Sequence, residues 1–152
     1  MTVPDSERPP PLNRMGVAVL ALIGFFISLY LLAYHLGWLG AIVCGLGSCA
    51  TVQASPYATL GPVPVPALGV AGYLALVVLG LLGVQPAFRG SRAVAILLLG
   101  GATAGFAFSA YLTYLEAVVI QAWCMWCVIS AIVMTLIFLA SLPEALRLRG
   151  EA

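Results

Sequence analysis

Lysine is absent from this chain, histidine occurs once, at His35, and charged residues make up only 7% of the total. So little charge excludes an ordinary soluble domain, in which about a quarter of residues are charged. Six arginines against five acids leave a net charge of +1. There is no clustered basic stripe of the kind nucleic-acid binders carry, so nucleic acid is excluded as a partner. One histidine and few acids also leave no ordinary set of nitrogen and oxygen ligands for a metal. Cysteine is sparse too, with four residues in two pairs, Cys44/Cys49 and Cys124/Cys127.

What the chain has in abundance is hydrocarbon. Hydrophobic residues make up 63% and mean hydropathy is +1.14, values that belong in a lipid bilayer. A helix crossing the hydrocarbon core needs about 20 apolar residues. Uncharged runs of that order extend from Met15 to Leu36, Pro66 to Val84, Ala93 to Leu115 and Ala117 to Leu142. The first exceeds the apolar stretch of a signal peptide, about 7 to 15 residues, and reads as a retained helix. The predicted fold is all-α, an integral membrane bundle of four transmembrane helices over residues 15–142. Cytoplasmic tails are predicted at 1–14, rich in proline and disordered, and at 143–152. Small residues along the third span (Gly100, Gly101, Gly105, Ser109) predict close approach of helix backbones.

Arginines flanking short loops stay on the cytoplasmic side of a membrane. Arg8 and Arg14 precede the first span, Arg89 and Arg92 separate the second from the third, and Arg147 and Arg149 follow the fourth. This pattern predicts a multi-pass protein of the cell's inner membrane with both termini in the cytoplasm. Both cysteine pairs then fall on the extracytoplasmic side, where disulfides form and persist. The long segment from Gly37 to Ala67 carries no charge and is predicted to fold onto the bundle and cap a cavity between the helices. A short helix is expected from about Ser48, a favoured N-cap, to near Ser55, because Pro56 disfavours helical geometry before it. Pro62, Pro64 and Pro66 are expected to hold an extended return to the second span.

The Cys124-Met125-Trp126-Cys127 motif is predicted to lie in the first turns of the fourth span. There the positive end of the helix dipole and unpaired amides stabilise a thiolate and speed exchange. A permanent staple is the bland alternative, but a bridge between residues so close in sequence constrains little chain entropy. A four-thiolate zinc site is compatible with the C-x4-C and C-x2-C spacings, although an oxidising compartment and the absence of neighbouring charge argue against it. Two dithiols have a natural division of labour. A pair on an extramembrane loop exchanges with a protein too large to enter the bilayer, and a pair on a span exchanges with a lipid-soluble molecule.

Taken in order, these features carry a resemblance. The loop pair, Ser55 and Tyr57 after it, the stretch GPVPVPALG ending at Gly69, Tyr73 beyond it and the late CxxC together resemble the vitamin K epoxide reductase family. The likeness runs from about Met15 to Leu142. It implies that Cys127 faces a quinone, that Cys124 exchanges with Cys49, and that Cys44 takes the mixed disulfide with a partner. Ser55 matches a serine beside the quinone, where its hydroxyl either donates to a carbonyl oxygen as charge develops there or only caps or bonds to backbone. Members that reduce the epoxide carry a tyrosine where this chain has Ala131 and an asparagine where it has Val65. The chain is therefore more similar to bacterial members that drive disulfide formation with menaquinone or ubiquinone, and is expected to be of the kind without the thioredoxin-like domain fused to some of them. The implied partner is a separate periplasmic thioredoxin-like thiol oxidase. Reduction of vitamin K epoxide by a thiol donor is the alternative activity.

Five further residues have a functional and a bland reading. Glu116, between the last two spans, is either a proton relay or a solvated turn residue. Trp123 reads as an interfacial anchor rather than a ring stacked on the quinone, and Tyr111 and Tyr114 as helix packing or cavity lining. His35 closes the first span and is a weak candidate base.

Overall fold

The computed structural model describes residues 12–150, so the proline-rich start lies outside the described residues. Four helices are long and apolar enough to cross a membrane: α1 (Leu12–His35), α3 (Val65–Val84), α4 (Arg92–Tyr114) and α5 (Met125–Gly150). A short helix, α2 (Cys49–Gln53), lies in the connection between the first two. The chain is an all-α membrane bundle with one minor hairpin, in which Thr59–Leu60 pairs with Val63–Pro64. Leu22, Phe26, Leu74, Leu97, Leu136 and Leu139 stay exposed on its outer surface, as helix faces turned to lipid do.

The long helices close a ring, because α1 packs on α3 and α5, and α4 packs on α3 and α5. Val17, Ala21, Leu76, Leu98, Ala102 and Ile137 fill its centre. The tightest seam is α1 against α3, and glycines make it possible. A Cβ added at Gly24 would overlap the Tyr73 ring, at Gly69 it would meet Ser28, and at Gly80 it would meet the Arg14 carbonyl and Ala18. The predicted small-residue stripe on α4 serves differently: Gly100 has nothing nearby, whereas Gly105 and Ser109 line a cavity. Tyr73 is held on its far side too, its hydroxyl 2.8 Å from both the carbonyl and the hydroxyl of Ser130. The ring therefore has no room to yield. Gly24→Ala is expected to destabilise the protein by about 1–3 kcal/mol, the usual range for overpacking, seen as a lower unfolding midpoint in detergent.

Element ends depart from the sequence reading in three places. Residues 12–14, expected in a tail, form the first turn of α1, and residues 143–150 continue α5 past Pro143. Arg14 is buried there and reaches Glu144, Gly83, Phe88 and Arg89. The start of α1, the end of α5 and the α3–α4 connection thus share one end of the bundle. At the other end, α4 does not stop at a tight turn near Glu116. It runs on as a π-helical turn, Leu115–Ile120, which Gln121 ends in the left-handed region at φ 56°. α5 begins only at Met125.

Candidate functional site

The site is built at the end opposite Arg14, where the connection between α1 and α3 folds over the helices. α1 closes with Gly37 at φ +81°, its N–H donating to the Tyr34 carbonyl and that of Trp38 to the Ala33 carbonyl. This is the Schellman arrangement that glycine favours, and it turns the chain back across the bundle. The Trp126 indole N–H then donates to the Val43 carbonyl at 2.6 Å and its ring lies against Tyr30. Gly47 pairs with Cys124 in an isolated bridge, and the Ser48 N–H donates to the Trp123 carbonyl at 2.7 Å. A side chain at Gly47, φ +84°, would run into that carbonyl. Short range pairing thus pins the residue before Cys49 to the residue before Cys124.

The four cysteines gather in one cluster. Cys44 and Cys49 are joined as a disulfide, and Cys124 and Cys127 are free thiols. Cys49 and Cys124 are buried in one cluster with Val52. Cys127 packs against that cluster and also forms part of the cavity wall, which none of the other three cysteines does. The order from surface to cavity is Cys44, Cys49, Cys124, Cys127.

Cys124 occupies the position before the first turn of α5, and its sulfur accepts the Cys127 N–H at 3.3 Å. It acts as the helix N-cap, so an orphan amide and the dipole both favour its thiolate. The Cys127 thiol beside it, together with the backbone amides, holds the Cys124 thiol below its ordinary range, against the opposing effect of burial. A sulfur of this kind is both a ready nucleophile and a good leaving group in disulfide exchange.

The cavity measures about 160 Å³ and takes its walls from α1, α3, α4, α5 and the capping segment. Leu31, Val65, Phe108, Leu112, Ala131 and Met134 make it largely apolar. Few polar groups interrupt this lining. Ser55 reaches the cavity as expected, but its hydroxyl donates to the Val52 carbonyl at 2.7 Å. That hydrogen is therefore engaged with backbone, and what Ser55 offers the cavity is oxygen lone pairs. Gln53, which no sequence motif marked, is 8% exposed and places Nε2 3.6 Å from the Cys127 sulfur. Its Oε1 is buried with no hydrogen-bond partner, and such an atom is expensive unless a ligand satisfies it. Glu116 is also on the wall, 4% exposed, with Oε2 accepting the Cys124 N–H at 3.2 Å. It is no solvated turn residue. Tyr111 and Tyr114 turn outward and do not line the cavity, and His35 is absent from it. Trp123 is half exposed beside the cysteine cluster and contributes its carbonyl to the Ser48 pairing.

The expected short helix is present but shorter, Cys49–Gln53, and Ser48 sits at its N-cap with its hydroxyl bonded to the Thr51 side chain instead of a backbone amide. The prolines after it form the hairpin described above and deliver Val65 and Pro66 to the cavity rim. Compared with known families, residues 15–142 match the model of the vitamin K epoxide reductase family.

Proposed function

The chain belongs to the vitamin K epoxide reductase family and is a multi-pass membrane thiol oxidoreductase; from that premise we propose that it reoxidises a separate thioredoxin-like thiol oxidase and passes the electron pair to a membrane quinone. The observation that carries this reading is the unbroken sequence of sulfurs from a loop disulfide, through a buried thiol with N-cap stabilisation, to a thiol on the wall of an apolar cavity. The quinone site fits on the donor chemistry as well. An apolar cavity suits an isoprenoid-bearing ring, and the buried, partnerless Gln53 Oε1 can accept from the hydroxyl of the reduced, quinol form.

Residue roles follow from position. Cys44 is the more accessible half of the loop bridge and takes attack from the partner's thiolate, which releases Cys49. Cys49 exchanges with Cys124, its neighbour in the buried cluster, each step passing through a mixed disulfide. Cys127 is then the thiol from which the pair leaves the protein. Leu31, Phe108 and Met134 exclude water from that thiol, and Gln53 orients what lies beside it. When bound, the quinone supplies an acceptor for two electrons and two protons. In the inner membrane, the arginine-bearing end of the bundle faces the cytoplasm and the cysteine end faces the periplasm.

The other activity, reduction of vitamin K epoxide, asks for hydrogen-bond donors where the cavity presents Val65 and Ala131. Purified protein in lipid nanodiscs, given a reduced thioredoxin-like donor with menaquinone, ubiquinone or vitamin K epoxide, separates the two. Quinol formed one for one with donor disulfide is the expected result. Turnover with the epoxide but with neither quinone would replace this reading by the other, and no donor oxidation with any acceptor would sink both.

A further inference from the structure

Glu116 is the one carboxyl on the cavity wall. Among the described residues no cation pairs with it. Besides accepting the Cys124 N–H, it shares the cavity wall with Cys127, so it adjoins both members of the dithiol and the cavity. A carboxylate buried without a counter-ion is unfavourable, and such a group takes up a proton in preference. The site can therefore hold a proton beside the dithiol, at a cavity walled by the helices and the capping segment.

We propose that Glu116 is the proton carrier of the Cys124–Cys127 couple, taking protons from the thiols and releasing them into the cavity. The inference rests on the quinone reading of this site. Oxidation of the couple breaks two S–H bonds and forms one S–S bond, with the loss of two electrons and two protons. The electrons pass to the quinone, and its two carbonyl oxygens become hydroxyls. Glu116 carries the protons to them in turn, returning after each transfer to its protonated form. Other ionisable groups at the cavity are the Cys127 thiol on α5, with Cys124 behind it, Tyr57 on the capping segment and Tyr73 on α3. Tyr73 is committed to Ser130 and Tyr57 is 42% exposed at the rim. Neither adjoins the sulfurs as Glu116 does.

A purely structural role would be to anchor the Cys124 amide, and glutamine performs that equally, since its carbonyl oxygen accepts the same bond. Glu116→Gln removes only the proton chemistry. In quinone-free protein, the infrared difference spectrum between the dithiol and disulfide forms is expected to contain a carboxyl C=O band that shifts on labelling with carbon-13 glutamate, vanishes in Glu116→Gln and moves in Glu116→Asp. With quinone, Glu116→Gln is expected to lower kcat by about 10²- to 10⁴-fold, the range for general acid–base groups, with KM little altered and partial recovery in Glu116→Asp. A difference spectrum without a glutamate-sensitive band, or Glu116→Gln turning over at the parental rate, overturns the proposal. If the parental protein reduces no quinone while the carboxyl band still follows the dithiol, the acceptor was misassigned and the proton carrier stands.

Discussion

Cys127→Ser is expected to abolish quinone reduction, by roughly a thousandfold or more as for other reacting groups, and to trap a bridge between Cys49 and Cys124. The reason is positional. Among the described residues Cys127 is the only thiol on the cavity wall, so without it the electron pair has no exit. Cys124 keeps its N-cap position, since the amide of residue 127 remains to donate to it. It also keeps its place beside Cys49, because Gly47, Ser48 and Trp123 hold the two segments together through backbone alone. The Cys124 thiolate can then attack the loop disulfide at Cys49 and release Cys44 as a thiol. No second thiol remains on α5 to resolve the product, so it accumulates. Mass spectrometry of peptides under non-reducing conditions is the readout, with a Cys49–Cys124 peptide in the variant and none in the parent. Parental quinone reduction by Cys127→Ser would end the proposed order of transfer. Cys49→Ala tests the outer end in the same way: incubated with the oxidised partner, it is expected to hold a mixed disulfide through Cys44.

The placement of the four cysteines around one end of the bundle was legible because it is written in residue type and order. Two cysteine pairs, one in a long uncharged loop and one near the start of an apolar run, are a local pattern. So are the four spans, since lipid selects for uninterrupted apolar length. Boundaries were less legible, for a physical reason. Charged residues were taken to mark the ends of spans, yet Arg14 and Glu144 lie inside helices because each supplies what the other needs. Glu116 looked like a turn for the same reason, and only the π-helical continuation of α4 shows that it turns inward beneath Cys124. Gln53 left no signal at all. Its standing comes from a neighbour distant in sequence, Cys127, and from one unsatisfied atom. Gly24 was equally silent, since a glycine announces nothing about the ring that will press against it.

The largest change in stability is expected at the opposite end of the bundle, where Arg14 and Glu144 are 1% and 0% exposed. Both nitrogens of the guanidinium fork engage the carboxylate at 2.8 Å, Asn13 adds a bond at 2.9 Å to the same group, and the remaining Arg14 nitrogen donates to the Gly83 carbonyl at 2.9 Å. One side chain therefore ties the start of α1 to the end of α3 and the last turns of α5. Gly83 leaves space for the passing Arg14 chain, which a Cβ there would obstruct. Arg14→Met or Glu144→Leu alone is expected to lose about 3–5 kcal/mol, because each leaves a buried charge without its bidentate partner. The double variant is expected to recover most of that loss, since a buried ion pair is often no better than apolar side chains of similar volume. Reversible unfolding of single and double variants in mixed micelles measures the coupling. Additive losses in the double variant would mean that the two groups act independently, and that the contacts with Asn13 and Gly83, not the ion pair, hold this end closed. The sulfur relay lies at the far end of the same helices, so variants that remain folded are expected to keep their quinone reduction while losing thermal resistance.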